Sequence, residues 1–277
     1  MKYREEHFNF IHEPLKDIID KAVISSNVLG DGIETYPISD YVFQTMFLKM
    51  TGSQEQKLKC IWWDISTYDY DFRREFLYNQ GNISECSSEK SKGFLYGKLC
   101  DYLEKKMNGA SVISDTKKNS IIVDAINDVK TVLSDSILIH WNQKMFQDFL
   151  FFKNRVRPNH FCIKKNLLQN PLKQVYECLY NSRNRYAHNT LSYQRHMPSF
   201  VNMSNYKSEH NSFYVWFFLL ILLDKAFVYL YDTYFSILEE NYWFEIQQNH
   251  LRNLAMEIGR GERKDSRKSV NPDAGLT

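Results

Sequence analysis

The stretch Tyr180-Asn181-Ser182-Arg183-Asn184-Arg185-Tyr186-Ala187-His188-Asn189 reads as helix, and the chain around it reads as helical scaffold. Asn170-Pro171 supplies the start of that helix, with Asn as N-cap and Pro at the first helical position. Leu172, Val175, Tyr176, Leu179, Tyr186 and Ala187 then recur at helical spacing. At about 100° per residue, Arg183 falls within about 20° of Leu172 on this apolar stripe, and Asn184 and His188, four apart, share a face to one side of it. A buried guanidinium is costly unless an anion or a polar network meets it. Arg183 therefore needs a partner, either a carboxylate of the fold or a phosphate at a subunit interface. Arginine binds phosphate oxygens bidentately, imidazole moves protons near neutral pH, and an amide can orient either.

Moving outward, residues 213 to 223 form an unbroken apolar run, ended by Asp224-Lys225 and resumed through Tyr231. A membrane span needs about 20 apolar residues with few or no charges, so the run predicts a deeply buried bundle helix and no membrane partner. A last aromatic helix is expected to about Ile258, followed by a disordered basic tail, 259–277. Upstream, apolar positions from Ile121 to Phe149 keep to one stripe and predict a long helix over 117–152, broken near His140. His140 beside Trp141 reads as a partly buried structural histidine. The N-terminal third predicts a helix over 3–29, a second through Val42, Phe43, Met46, Phe47 and Met50 ended at Thr51-Gly52, and another from Ser91 to Met107. Aromatic residues between Trp62 and Phe76 read as core packing.

These elements give an all-α fold: a helical bundle over 111–258 carrying the motif, preceded by an additional N-terminal helical region, 1–110. Ten glycines and six prolines, with few alternating β-branched runs, are too few turn formers for a sheet-rich protein. A composition that is 43% hydrophobic and 15% aromatic is ample for a core. The five cysteines are odd in number and scattered, so neither a disulfide framework nor a zinc spacing emerges, and a reducing cytoplasm is the expected location. No apolar segment of signal-peptide length follows Met1-Lys2-Tyr3-Arg4. No Asp/Glu/His cluster has ligand spacing either, and no metal or cofactor is expected.

Charge is uneven. The chain carries a net +2, yet from Lys153 to Lys207 its only acid is Glu177, set among ten basic residues. Such a segment around a phosphate-handling motif reads as an electrostatic footprint for phosphates. Lys164, Lys165, Arg185 and Arg195 are its candidate phosphate-contacting residues, on RNA if the motif is that of a ribonuclease.

Arg183-Asn184-x-x-x-His188 resembles the RNxxxH signature of the HEPN superfamily, small all-helical domains of RNA-cleaving toxins and defence proteins. A looser Arg-x4-His also occurs at Arg155 to His160, but it lacks the Asn, and Pro158 disfavours a helix through it. The resemblance implies a metal-independent endoribonuclease acting as a toxin or antiviral defence effector, with Arg183, Asn184 and His188 as catalytic residues. One motif histidine per chain cannot serve comfortably as both acid and base. The resemblance implies the answer, a two-fold homodimer that brings two copies of Arg183, Asn184 and His188 to one cleft, with RNA as the partner and room for a regulatory or sensor protein. The alternative is a non-catalytic HEPN-like module that binds RNA, a nucleotide or a partner protein.

Overall fold

A computed structural model describes residues 2–30, 32–78, 86–107, 112–187 and 212–265. The described chain is helical apart from one two-stranded hairpin, so the expectation of an all-α fold holds.

Helices α1 (Lys2–His12) and α2 (Lys16–Ser26) replace the single helix expected over 3–29. Pro14 separates them: it has no N–H for a helix ladder, and its ring clashes with the preceding turn. Its carbonyl instead accepts from the Asp17 N–H, at 3.1 Å, as the second helix begins.

The helix at the centre is α3 (Tyr36–Tyr68), 33 residues long. It runs through Gly52 rather than stopping there. A helical glycine costs about 1 kcal/mol relative to alanine, and packing on both sides of it outweighs that cost. Phe43, Met46, Phe47 and Met50 before the glycine, and Leu58, Ile61, Trp62 and Ile65 after it, are all buried at helical spacing. Helices α1, α2 and α4 (Tyr70–Tyr78) pack on α3. Trp62 and Phe72 join the core with ring centroids 4.7 Å apart, as expected, but Trp63, Tyr68 and Tyr70 face outward.

Each of the next two helices is opened by a serine that accepts a backbone N–H of the first turn. Ser88 caps α5 (Glu89–Lys106), and Ser114 caps α6 (Asp115–Leu133). The long helix expected over 117–152 ends at Leu133. A 3-10 turn at Ile137–Ile139 leads into α7 (Gln143–Lys153), so the break lies near His140 as expected. His140 itself is exposed, a correction to the partly buried reading, while Trp141 turns inward to donate to Thr35 Oγ1 at 3.1 Å.

A hairpin was not expected. β1 (Phe161–Ile163) pairs antiparallel with β2 (Asn166–Leu168) around Lys164-Lys165, with Phe161 opposite Leu168. Cys162 and Lys164 take positive φ, 52° and 49°, where glycine or asparagine normally signals such a turn. β2 packs on α5.

Helix α8 (Leu172–Ala187) starts immediately after Pro171 and packs on both α3 and α5. Helix α9 (Phe213–Asp265) continues through the first seven residues of the expected tail, 259–265; the remainder of that tail lies outside the described residues. Phe213–Glu239 is long and apolar enough by composition to cross a membrane, but every residue from Phe213 to Leu223 is at most 2% exposed within the protein.

The chain divides into two compact units, 1–231 and 232–277. Within residues 1–231, helices from both sides of residue 110 bury their stripes against one another, α2 on α6 and α3 on α8. The N-terminal region therefore shares its core with the motif helix.

Candidate functional site

Three residues one turn apart turn the motif helix toward α3. Tyr180 and Arg183 line a small closed pocket with Thr51, Glu55, Ser87, Lys92, Tyr176 and Leu179. Tyr186 reaches the aromatic core, its ring centroid 6.1 Å from that of Phe47 and 5.9 Å from that of Phe213. Tyr186 thus docks the end of the helix and Arg183 is held one turn before it.

The partner Arg183 requires is a carboxylate of the fold. Its Nη2 lies 3.3 Å from Glu55 Oε2 on α3, and its Nη1 donates to Asn184 Oδ1 at 3.2 Å. Glu55 also receives Lys59 Nζ at 2.9 Å, one turn along α3. The Arg183 side chain keeps 29% of its surface exposed, so it sits at the pocket mouth rather than deep on the apolar stripe.

Behind Arg183 lies a charged cluster that the sequence reading missed. Lys92 on α5 is buried, donates to Gln54 Oε1, and stands 5.3 Å from the centre of the Tyr176 ring. Gln54 in turn donates to the Leu220 carbonyl at 2.7 Å, and Tyr176 donates to the Ser87 carbonyl at 2.6 Å. Burial pulls Lys92 down to about 7, against the attraction of Cys86, Glu55 and Asp224. Asp224 takes both its oxygens to Lys57 Nζ, at 3.0 and 3.1 Å, and Lys57 also donates to the Glu13 carbonyl. Burial pushes Asp224 up to about 6 while Lys57 pulls it back. One signal for this cluster was present: an acid interrupting a long apolar run is itself buried and must find a cation.

Among the proposed catalytic residues, the structure places Arg183 and Asn184 side by side; His188 lies outside the described residues. Of the proposed RNA-binding residues, Arg185 is exposed on α8, and Arg195 is also outside the described residues. Lys164 and Lys165 are exposed at the hairpin turn. Lys165 is committed to Asp101 of α5 at 2.7 Å, a hydrogen bond that raises its pKa. Lys92 and Asp101 are nine residues apart on α5, about 13 Å along its axis. The second Arg-x4-His copy is not α-helical: α7 ends at Lys153, Arg155 stacks over the Phe151 ring, Pro158–His160 form a 3-10 turn, and His160 Nδ1 accepts the Arg157 N–H. Among the described residues, no group of three or more His, Cys, Asp or Glu is placed to hold a metal ion.

Compared with known proteins, the chain matches no family model, no curated protein and no solved structure.

Proposed function

We propose that this chain is a metal-independent endoribonuclease of the HEPN type. Transesterification of RNA needs a base for the ribose 2′-hydroxyl, an acid for the 5′-oxygen and positive charge for the phosphorane. In this reading His188 moves protons, Arg183 stabilises the phosphorane, and Asn184 holds the guanidinium in place. The observation that carries it is the Arg183–Asn184 contact: a part-exposed guanidinium, on a helix docked through Tyr186, hydrogen-bonds its neighbour's amide oxygen. Two copies of the chain complete the site, each supplying one His188, and the expected products carry 2′,3′-cyclic phosphate and 5′-hydroxyl ends.

A second reading is favoured by the Glu55 pair. A carboxylate already satisfying Arg183 suits a HEPN-like module that binds RNA, a nucleotide or a partner protein without cutting. Incubating pure protein with total RNA in EDTA and sequencing the 5′-hydroxyl ends separates the two. Reproducible cut sites, with a dimeric mass in light scattering, support the nuclease. Intact RNA under all conditions, from a protein that still retains RNA on a filter, leaves the binding module.

A further inference from the structure

Lys92 has no task in that mechanism, yet it is buried, at 3% exposure. Among the described residues its hydrogen-bond acceptor is Gln54, which leaves two of the three ammonium donors to the space it shares with Thr51, Ser87, Tyr180 and Arg183. The carboxylate of that pocket, Glu55, is engaged by Arg183 and Lys59. The other nearby acid, Asp224, is held by Lys57. With Lys92 protonated, three cations surround one carboxylate.

We propose that Lys92 and Arg183 form an oxyanion site at the junction of α3, α5 and α8, held shut by the Glu55 carboxylate and opened when a phosphate or sulfate group takes that carboxylate's place. The free space is about 10 Å³, room for about one water, so a tetrahedral anion enters only if Glu55 leaves. Glu55 has a route out, because its side chain is 15% exposed and its second partner, Lys59, is 37% exposed on the same helix face. A carboxylate and a phosphate present similar oxygens to a guanidinium, so Arg183 exchanges one for the other without moving.

A proton accompanies the exchange. Lys92 faces Gln54 and Glu55 of α3, Cys86 and Ser87 before α5, Tyr176 and Arg183 of α8, and Asp224 of α9. In this setting burial pulls the pKa of its ammonium down to about 7. An anion at the pocket raises its proton affinity, so anion binding takes up a proton and weakens as pH rises above about 7. The inference rests on the ribonuclease reading only in naming the RNA backbone as one source of the anion; a free phosphate or sulfate is the other.

Sulfate is the probe, since it stays a dianion across the range and cannot itself take up the proton. Titration calorimetry at pH 8 in two buffers of different ionisation enthalpy should show uptake of up to about one proton, with affinity falling up to about tenfold per pH unit above the Lys92 pKa. Glu55→Gln should tighten sulfate binding by removing the internal competitor, and Arg183→Ala should weaken it about tenfold or more. Lys92→Met should abolish the uptake. Proton uptake that persists in Lys92→Met, or no sulfate binding to Glu55→Gln, overturns the proposal. Should Lys92→Met fail to fold, absence of uptake in the wild type does the same. A 2′-deoxy dinucleotide that displaces sulfate identifies the nucleic-acid backbone as the source. Its failure to compete assigns the pocket to a free oxyanion, and RNA cleavage is then judged by its own assay.

Discussion

Phe47 and Gln54 stand two turns apart on α3 and are equally buried, at 0% and 1% exposure, in opposite surroundings. Around Phe47 the contacts are rings: Trp216 at 4.9 Å, Phe213 at 6.0 Å and Tyr186 at 6.1 Å, with Phe43 stacked on Phe213 and Phe217 alongside. Around Gln54 the contacts are single hydrogen bonds and ion pairs, to the Leu220 carbonyl, to Lys92, and onward to Asp224 through its neighbour Lys57. Apolar packing is non-directional and shared among many atoms, whereas each buried charge depends on one or two partners. The first region fixes the helices; the second carries charges that the fold would be no less stable without.

The largest expected effects test that contrast directly. Phe47→Ala should cost about 3–5 kcal/mol in chemical denaturation, and no second replacement should recover it. Asp224→Ala should cost a similar amount, about 3–5 kcal/mol, because it strands a buried Lys57. The double variant Lys57→Met with Asp224→Leu should recover most of that loss, since replacing a buried ion pair by apolar groups is often neutral or better. A double variant as unstable as Asp224→Ala alone would erase the distinction between the two regions.

Next in size are the effects on catalysis. His188→Ala should lower RNA cleavage about 10²-fold or more, the usual scale for a lost proton-transfer group, and leave RNA binding in place. Arg183→Ala should cost at least as much. Arg155→Ala and His160→Ala should cleave as the wild type does, because both residues are engaged locally off the motif helix. Cleavage lost in that second pair and retained in His188→Ala would move the site.

A smaller effect separates the regions by pH. Lys92 ionises at about 7 in the folded protein against an ordinary 10.5, so between those values the unfolded chain binds a proton that the folded chain does not. Its contribution makes stability rise with pH across that window, by up to about 1.4 kcal/mol per unit. Asp224, raised from 3.8 to about 6, acts in the opposite sense: its contribution falls as pH climbs between those values and is constant above them. Lys92→Met should remove the upper slope, and Phe47→Ala should shift the whole stability profile without changing its shape. Thermal melts from pH 7 to pH 10 read both.

The contrast also explains what was legible in the sequence. Apolar periodicity located α3, α5, α8 and the buried start of α9 because a stripe must be covered wherever it is. Boundaries were harder. Gly52 promised a helix end that packing on both sides overrode, while Pro14, which removes a hydrogen bond outright, broke a helix whose apolar spacing ran on. The hairpin at 161–168 was invisible because Lys164 takes its positive φ without a glycine. At the site, the angle of about 20° between Arg183 and Leu172 led the sequence reading to seat Arg183 on the apolar stripe, whereas its side chain keeps 29% of its surface exposed; its need for an anion was foreseen. Glu55 as that anion was not, since the two are far apart in sequence and one exposed-looking glutamate resembles another. Lys92 was missed for the same reason: lysines are almost never fully buried, and nothing local marks the exception.

The smallest expected effect lies on the surface, where charges equal to those of the buried cluster do little individually. If the hairpin turn touches RNA, each lysine that neutralises a phosphate contributes about 0.7 to the slope of log affinity against log salt on a single strand. Lys164 and Lys165 are adjacent but not equivalent, because Lys165 already holds Asp101 at 2.7 Å and must give up that partner to meet a phosphate. Lys164→Ala should therefore lower the slope by about 0.7, and Lys165→Ala by less. Asp101→Ala should release Lys165 and strengthen binding for all RNA sequences alike, since a phosphate contact reads no base. Melting temperatures should stay unchanged throughout, in contrast to any single change at Lys57, Lys92 or Asp224. Equal slopes for the two lysine variants would show that the Asp101 pair does not hold Lys165 back, and an unchanged slope in both would place the RNA track elsewhere on the molecule.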